Sequence, residues 1–435
     1  MLKNKMSKTW FLFILFSCAV VQAVSEPNNR TFFCNAAITM QDGNDPVLAF
    51  AKTELSRFLC ATGQVGMAAP AAKTDWTFRL CTDSTMKPYS FGFKHTMHQG
   101  RNVVTIRGYD VSCTLHGVYT LLEQIGYQFE ITGPEPPRSI DLKNLMGKEC
   151  TICPRVLKRG IRQHINFPMD ISSYPLEEAK EYIRNLARLR FNYIIYHSYP
   201  GQWIAGVPPE NKSVDTYAGQ FFYGQRHDVP DHTLLKQKIR NKKVFCIPEI
   251  EDVYDNPPAR GIRTAEWLRA LMAESKRVGM TVEFSFEPRR TDANVAPTIT
   301  QCNEILTTYP QIDVLEITTQ ETGSWGDNAD PNKVRDLITR HFGLKGLEHE
   351  AVSKILVKNQ PSLENFIGEL GHNVTALKEV SKNGLRHRKT RLSMGVYCTI
   401  PSYLNAAVVL MRTSLPNDIE WAILPAHSNQ RVYKY

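Results

Sequence analysis

Two glutamates stand at the ends of segments that have the composition of buried strands. Glu321 follows the run 313–320, in which aliphatic and β-branched residues give way to a polar loop. Glu287 ends a second such segment, 280–287. Glycosidic bonds are usually cut by a pair of carboxyl groups, one giving a proton and the other acting as base or nucleophile. Both residues are therefore candidate catalytic groups. A strand with an ordinary polar loop at Glu321, or an ion-paired Glu287, accounts for the same pattern.

Side chains suited to holding a sugar occur near the ends of other predicted strands. Arginine binds carboxylates with two parallel hydrogen bonds, and tryptophan stacks on the face of a pyranose ring. The candidate substrate-binding residues are Gln320, Arg159, Arg162, His197, Trp203 and Trp325. The alternatives remain open: internal ion pairs for the arginines, a histidine whose hydrogen bonds are all made within the protein, and core or rim packing for the tryptophans.

Alternating strands and helices after residue 155 predict the element that would position these groups. Strands are predicted at 155–162, 191–197, 280–287, 313–320, 392–398 and 419–424, with helices between them, and 204–263 is predicted as a long insertion. Alternation along 280–287 puts Glu283, Ser285 and Glu287 on one face, which would line a lumen. A closed (β/α)8 TIM barrel needs eight strands. We therefore predict a barrel over 155–435 that is incomplete at its C-terminus.

A small α/β domain is predicted before the barrel. Helical spacing of apolar residues at 46–59, strands at 76–80 and 103–107, and an amphipathic helix at 115–125 alternate in order. The segment from Arg107 to Phe129, with its glycine turn at Gly108 and Gly126-Tyr127 after the helix, resembles the N-terminal domain of bacterial α-glucuronidases and β-hexosaminidases. The resemblance covers most of 30–145, with 133–154 predicted as a linker. It implies an α/β fold in which this domain precedes a β/α barrel.

The resemblance also implies roles for particular residues. In these enzymes a glutamate at the tip of the fourth barrel strand is the general acid, and Glu321 matches that position. Hexosaminidases carry an aspartate just before it, where this chain has Gln320. That departure favours an α-glucuronidase-like activity on glycans that contain uronic acids. The alternative is a non-catalytic carbohydrate-binding or scaffold protein with a degenerate or truncated barrel.

Composition and the N-terminal segment limit which partners and which cellular location the sequence predicts. The chain has 435 residues, 42% of them hydrophobic, and a net charge of +9. Its basic residues are scattered, so no nucleic-acid-binding stripe is predicted. Lysines precede an apolar run over 10–21, and 21–23 offers a small-residue cleavage site. This pattern predicts a signal peptide over 1–23 and an exported protein, periplasmic, at the cell surface or secreted. A lipoprotein anchored through Cys18 is the competing interpretation. No later stretch predicts a membrane span, and the sequence does not predict an oligomeric state.

The cysteines and short motifs predict neither a metal nor a cofactor. Ten cysteines are irregularly spaced, and the pair Cys150 and Cys153 lies in the predicted linker. Without a second pair or a nearby histidine, this spacing favours a local disulfide or two free thiols over a metal site. Phosphate-binding loops, serine-hydrolase elbows and zinc-protease motifs are absent from the sequence.

Overall fold

The computed structural model describes most of the chain in ten segments. These are 34–68, 74–165, 171–198, 248–253, 256–288, 294–320, 330–344, 363–385, 389–398 and 401–425, with single residues at 346, 350 and 352. The predicted signal peptide and Cys18 lie outside the described residues, as do Trp203, Glu321 and Trp325. The described residues form two sheets of six strands each and one short two-stranded sheet.

The first sheet belongs to the N-terminal α/β domain. Two helices pack on it, and each begins at an aspartate whose side chain accepts backbone N–H groups: Asp45 from Val47 and Leu48, and Asp110 from Cys113. Such caps satisfy N–H groups that lack partners inside the helix. The elements of this domain are β1 (Cys34–Met40), α1 (Pro46–Cys60), β2 (Val65–Met67), β3 (Trp76–Thr82), β4 (Phe91–His98), β5 (Arg101–Gly108), α2 (Val111–Gln124) and β8 (Glu149–Ile152). Its strands lie side by side in the order β2-β1-β3-β5-β4-β8. Four of these strands, β1, β2, β4 and β8, were not predicted from the sequence.

The segment predicted as a linker is largely part of this domain. It contains β7 (Gly133–Glu135), which pairs with β6 (Gln128–Glu130), and a 3-10 turn at Leu142–Leu145. It then adds β8 to the sheet, where Cys150 pairs with Phe93 of β4. The prediction of a linker over 133–154 is therefore wrong. Cys150 and Cys153 are both free thiols.

The second sheet is entirely parallel, as the alternation of strands and helices predicts. Its order is β14-β13-β12-β11-β10-β9, so each strand pairs with the next one along the chain. The elements are β9 (Gly160–His164), α3 (Leu176–Arg188), β10 (Tyr193–Ser198), α4 (Pro257–Arg277), β11 (Thr281–Phe286), α5 (Ala296–Thr308), β12 (Val314–Thr318), α6 (Pro331–Phe342), α7 (Leu363–Asn383), β13 (Arg391–Cys398), α8 (Pro401–Ser414) and β14 (Glu420–Pro425). All six predicted strands are present, although the first begins at Gly160 rather than at residue 155.

A lysine that bridges the two edges shows how strongly this sheet curls. Lys158 stands just before β9, and its Nζ lies 3.7 Å from Glu420 Oε2 on β14 and 3.8 Å from Glu283 Oε2 on β11. β9 and β14 are the outermost strands. In a flat sheet they would lie roughly 24 Å apart, which one side chain cannot span. The sheet is therefore curled into a half-barrel, and Lys158 spans the gap between its two edge strands near their N-terminal ends.

Helices cover the convex face of the half-barrel. Phe284 of β11 stacks on Tyr309 after α5, with ring centroids 5.7 Å apart. Tyr196 of β10 shares a 2.9 Å hydrogen bond with Ser275 of α4. Because successive strand residues point to opposite faces, residues between these positions point into the concave face, which we call the lumen. The described helices are each too short or too polar to cross a bilayer.

Ion pairs join the two domains through buried side chains. Arg188 of α3 donates from Nε to Glu54 Oε2 of α1 at 2.9 Å. Tyr119 of α2 donates its hydroxyl to the same carboxylate oxygen at 3.2 Å. All three residues are almost fully buried. Two helices of the first domain are thereby attached to the first helix of the half-barrel.

Candidate functional site

A charged cluster lies in the lumen, toward the C-terminal ends of the strands. Its centre is Arg162 of β9, whose Nη1 donates to Glu316 Oε1 of β12 at 3.1 Å. Its Nη2 lies 2.7 Å from His197 Nδ1 of β10 and donates to Ser285 Oγ of β11 at 2.9 Å. Ser285 in turn donates to Glu316 Oε1 at 2.6 Å. Four successive strands thus contribute to one hydrogen-bonded group.

Strand register explains why these residues meet. His164, His197, Ser285 and Glu316 occupy matching positions on β9, β10, β11 and β12. Parallel pairing in register places such residues in one layer across the sheet. The curl then brings their side chains together above the concave face, where Arg162 reaches up from the layer below.

Glu287 is joined to this cluster through His197. The carboxylate follows the last residue of β11, and its backbone N–H extends the ladder by donating to Ser198 O at 3.1 Å. His197 Nε2 lies 3.3 Å from Glu287 Oε1. Both side chains are at most 2% exposed. The alternation of β11 places Glu287 in the lumen with Glu283 and Ser285. The alternative, a salt-bridged glutamate in the lumen, stays open.

The two lumen histidines are neutral near pH 7. Burial, followed by the charges of Arg162 and the neighbouring His164, holds the pKa of His197 well below its usual value. Burial and Arg162 lower the pKa of His164 to about 4. The two rings contact each other edge to face, with centroids 5.0 Å apart. Imidazole at these positions can donate and accept hydrogen bonds without adding charge.

Gly395 on β13 makes room for Glu316. A Cβ atom at this position would lie 2.8 Å from Glu316 Oε1 and 2.5 Å from Thr318 Oγ1. The glutamate therefore occupies volume that any larger residue on β13 would claim. Glu316 was not singled out in the sequence, because it stands inside an aliphatic strand. A charged residue at the centre of a buried strand is itself the signal that could have found it.

A second polar group lies lower in the lumen, around Glu283. Tyr193 donates its hydroxyl to Glu283 Oε2, and Lys158 Nζ stands 4.0 Å from the Tyr193 ring centroid. Burial and then the charge of Glu316 raise the pKa of Glu283 to about 7, against the opposing effects of Tyr193 and Lys158. Burial and then Glu283 raise the pKa of the Tyr193 phenol.

We expect this raised pKa to make stability depend on pH. A carboxyl group with a higher pKa folded than unfolded stabilises the fold at low pH and loses that contribution as pH rises through the folded value. Urea unfolding of the wild type should therefore show about 3 kcal/mol of stability lost between pH 4.5 and 8 on account of Glu283. Glu283→Gln should flatten this dependence. Glu420→Gln, at the other contact of Lys158 but about half exposed, should leave it in place; equal slopes in both variants would contradict the assignment.

The remaining predicted site residues are distributed between lumen and periphery. Gln320 lies past the end of β12, where its Nε2 approaches Pro288 O, next to Glu287, at 3.5 Å. Its backbone N–H donates to Glu369 Oε2 at 3.2 Å. Arg159 is not brought to the lumen. Its guanidinium donates to the backbone carbonyls of Arg190, Val156 and Leu157, because it precedes β9 instead of lying on its concave face. Arg159 therefore lies apart from the charged cluster, and its role in binding a sugar stays a prediction.

The structure thus brings together Arg162, His197 and Glu287 among the predicted residues, and adds Glu316 and Ser285. Glu321, Trp203 and Trp325 fall outside the described residues, so their predicted roles remain predictions. The described residues contain no cluster of three or more side chains placed to hold a metal ion.

Comparison with known proteins gives similarity only at the level of solved structures. No family model and no curated protein sequence matches the chain. A GH138 enzyme targeting pectin rhamnogalacturonan II aligns with a TM-score of 0.47 at 13% identity, over 89% of this chain and 48% of its own. A GH20 exo-β-N-acetylglucosaminidase from Vibrio harveyi aligns with a TM-score of 0.49 at 14% identity, over 91% of this chain and 58% of its own. A GH20 β-N-acetylhexosaminidase from Streptomyces coelicolor aligns with a TM-score of 0.46 at 13% identity, over 91% and 71%.

The chain thus spans about half the length of the first of these enzymes and 58% of the second. At these scores and identities the similarity carries no conclusion about the site or the reaction, which have to be argued from the residues. What the chain itself shows is an N-terminal α/β domain followed by a partial parallel β/α barrel with a charged lumen.

Proposed function

We propose that the chain is an exported glycoside hydrolase in which Glu287 and Glu321 are the two working carboxyl groups. The observation that carries the proposal is Glu287 itself. It is a carboxylate 2% exposed, facing a neutral histidine, at the C-terminal end of a parallel strand. Enzymes built on β/α barrels carry their active sites at that end. A buried carboxylate is costly to keep in a fold, so its presence there favours a role in chemistry.

Glu321 is proposed as the general acid. It follows Gln320 directly in sequence, and the Gln320 side chain approaches the backbone next to Glu287. Glu287 directly follows β11, and Glu321 comes three positions after the end of β12 in the sequence. Cleavage of a glycosidic bond needs one carboxyl group on each side of the scissile bond, and these two residues are proposed for those positions. The proposed partner is a carbohydrate substrate, with the chain acting at the cell surface, in the periplasm or outside the cell.

A finer proposal is an α-glucuronidase-like activity on polysaccharide fragments that contain uronic acids. It is supported by Gln320, which stands where the resembled hexosaminidases carry an aspartate. Arg162 is already ion-paired with Glu316 at 3.1 Å, so a substrate carboxylate would have to share that arginine or find another cation. The choice between uronic acids and neutral sugars therefore belongs in the test.

The test compares leaving groups as well as sugars. The protein is assayed on plant and host glycans and on nitrophenyl glycosides of glucuronic acid, N-acetylglucosamine and neutral hexoses. On natural glycans, Glu287→Gln and Glu321→Gln should each lower kcat/KM about 10²–10⁴-fold. Nitrophenolate leaves without protonation, so Glu321→Gln should lose far less on the nitrophenyl substrates, whereas Glu287→Gln should lose activity on both.

Glu420→Gln is the matched control, because it makes the same change in the same sheet at a half-exposed position. It should retain wild-type rates. Full activity of Glu321→Gln on a natural glycan would remove the assigned acid. Glycan binding by the wild type without release of sugar from any substrate would favour a non-catalytic carbohydrate-binding protein instead.

A further inference from the structure

The series of side-chain contacts from Glu316 through Arg162 to His197 determines which nitrogen of His197 carries its proton. Arg162 Nη2 lies 2.7 Å from His197 Nδ1. A guanidinium has only N–H donors and stays protonated in proteins. Nδ1 must therefore be the bare, accepting nitrogen, because an Nδ1–H would meet another N–H at hydrogen-bond distance. The single proton of the neutral ring consequently sits on Nε2.

The protonated nitrogen is the one that faces Glu287. Nε2 lies 3.3 Å from Glu287 Oε1, a close polar contact although the two atoms are not aligned as a hydrogen bond. An N–H donor stabilises a carboxylate more than a carboxylic acid. The neutral ring therefore favours the ionised form of Glu287, although the surroundings are buried.

Arg162 is itself held on two sides. Glu316 accepts from its Nη1 at 3.1 Å, and Ser285 accepts from its Nη2 while donating to Glu316. The guanidinium is thus fixed in one orientation by two neighbouring strands. Lysine has a single ammonium and cannot reproduce the three contacts in this geometry.

We propose that Arg162, fixed by Glu316 and Ser285, is a positioning residue that holds His197 as the Nε2–H tautomer and so presents Glu287 as an ionised carboxylate. This rests on the proposed function for its consequence in catalysis, but the tautomer and the ionisation of Glu287 can be measured without any substrate. Glu287 then serves as the base or nucleophile, which leaves proton donation to the other carboxyl group.

The groups that face His197 among the described residues come from the strands on either side of β10. They are Arg162 and His164 from β9, Ser285 and Glu287 from β11, and Glu316 from β12 through the arginine. Glu283 lies one layer lower. Of these, only Arg162 provides a permanent donor to Nδ1.

The first measurement is nuclear magnetic resonance on protein labelled at histidine nitrogens and glutamate carboxyl carbons. The His197 signals are assigned by loss in His197→Gln, and those of Glu287 by loss in Glu287→Gln. His197 should show a bare Nδ1 and a protonated Nε2, unchanged from pH 8 to pH 5, with Glu287 ionised over the same range. A proton on Nδ1, a cationic ring near pH 7 or a protonated Glu287 there would overturn the proposal.

The second measurement uses a variant designed to remain folded. Arg162→Met alone leaves Glu316 buried without its counter-charge, so the double variant Arg162→Met/Glu316→Gln removes both charges together. In it the fixed tautomer should be lost, and the carboxyl titration of Glu287 should move up by about one pH unit or more. An unchanged tautomer and titration in the folded double variant would contradict the positioning role.

Activity gives the third readout and separates the two proposals. The acid limb of the pH profile of kcat/KM should move up with the Glu287 titration in the double variant, whereas a purely structural role would lower the rate with no shift. His197→Gln keeps an N–H donor near Glu287 and should preserve the limb better than His197→Leu. A wild type that cleaves no glycan but shows the fixed tautomer would refute the hydrolase proposal alone; an active enzyme with an unmoved limb would refute the positioning role alone.

Discussion

Replacing Arg188 by methionine should lower the free energy of unfolding by about 3–5 kcal/mol, because it leaves the buried carboxylate of Glu54 without its counter-charge. Arg188 is 1% exposed, and its Nε contacts Glu54 Oε2 at 2.9 Å. Methionine fills similar volume but offers no donor, so among the residues that the structure describes Glu54 would keep only Tyr119 and the exposed Arg57 as partners. Urea unfolding at pH 7, followed by far-ultraviolet circular dichroism, measures the loss.

Arg57 provides the matched control because it binds the other oxygen of the same glutamate. Its Nη2 lies 2.9 Å from Glu54 Oε1, an equal distance, but its side chain is 50% exposed. Exposed ion pairs contribute about 1 kcal/mol or less. Arg57→Met should therefore cost far less than Arg188→Met. Equal losses would show that burial does not set the strength of this interdomain contact.

Gly395→Val should destabilise the half-barrel by about 3–5 kcal/mol and disturb the charged cluster. A Cβ at this position would stand 2.5 Å from Thr318 Oγ1 and 2.8 Å from Glu316 Oε1. These are far below contact distances, so Glu316 has to move and its ion pair with Arg162 at 3.1 Å opens. Unfolding in urea gives the stability, and the His197 nitrogen signals report the cluster.

Gly43 is the comparison site for this substitution. It lies exposed in the turn before α1, and a Cβ built there meets nothing within 4 Å. Gly43→Val should change stability by less than about 1 kcal/mol. If Gly395→Val were equally mild and left the histidine signals unchanged, the placement of Glu316 against β13 would be incorrect.

Local pattern was enough to predict the half-barrel but not the whole N-terminal domain. The strands of the half-barrel are short apolar runs separated by helices. In one of them, 280–287, polar and apolar residues alternate clearly enough to identify the lumen face. In the first domain, β8 has the composition of a polar segment between glycines and prolines. It becomes a strand because β4 offers an unpaired edge to it, with Phe93 opposite Cys150. Such pairing is a tertiary effect that local sequence does not carry.

Some members of the charged cluster could be recognised from the sequence, but their arrangement could not. Arg162, His197 and Glu287 were recognisable as polar groups near strand ends. Glu316 was hidden within an aliphatic strand, and its partner Arg162 is 154 positions away in sequence. Arg159 was assigned to the lumen because it lies on a segment predicted to be strand from residue 155, whereas the strand begins at Gly160. A shift in where a strand begins changes which side chains can reach a ligand.

Lys158 gives the half-barrel a dependence on dissolved ions. Its side chain is 52% exposed and that of Glu420 on the last strand is 47% exposed, whereas the Glu283 side chain is buried. Salt screens exposed charge pairs much more than sheltered ones. Raising ionic strength should therefore weaken the contact of Lys158 with Glu420 more than its contact with Glu283, so the link between the first and last strands depends on the salt concentration.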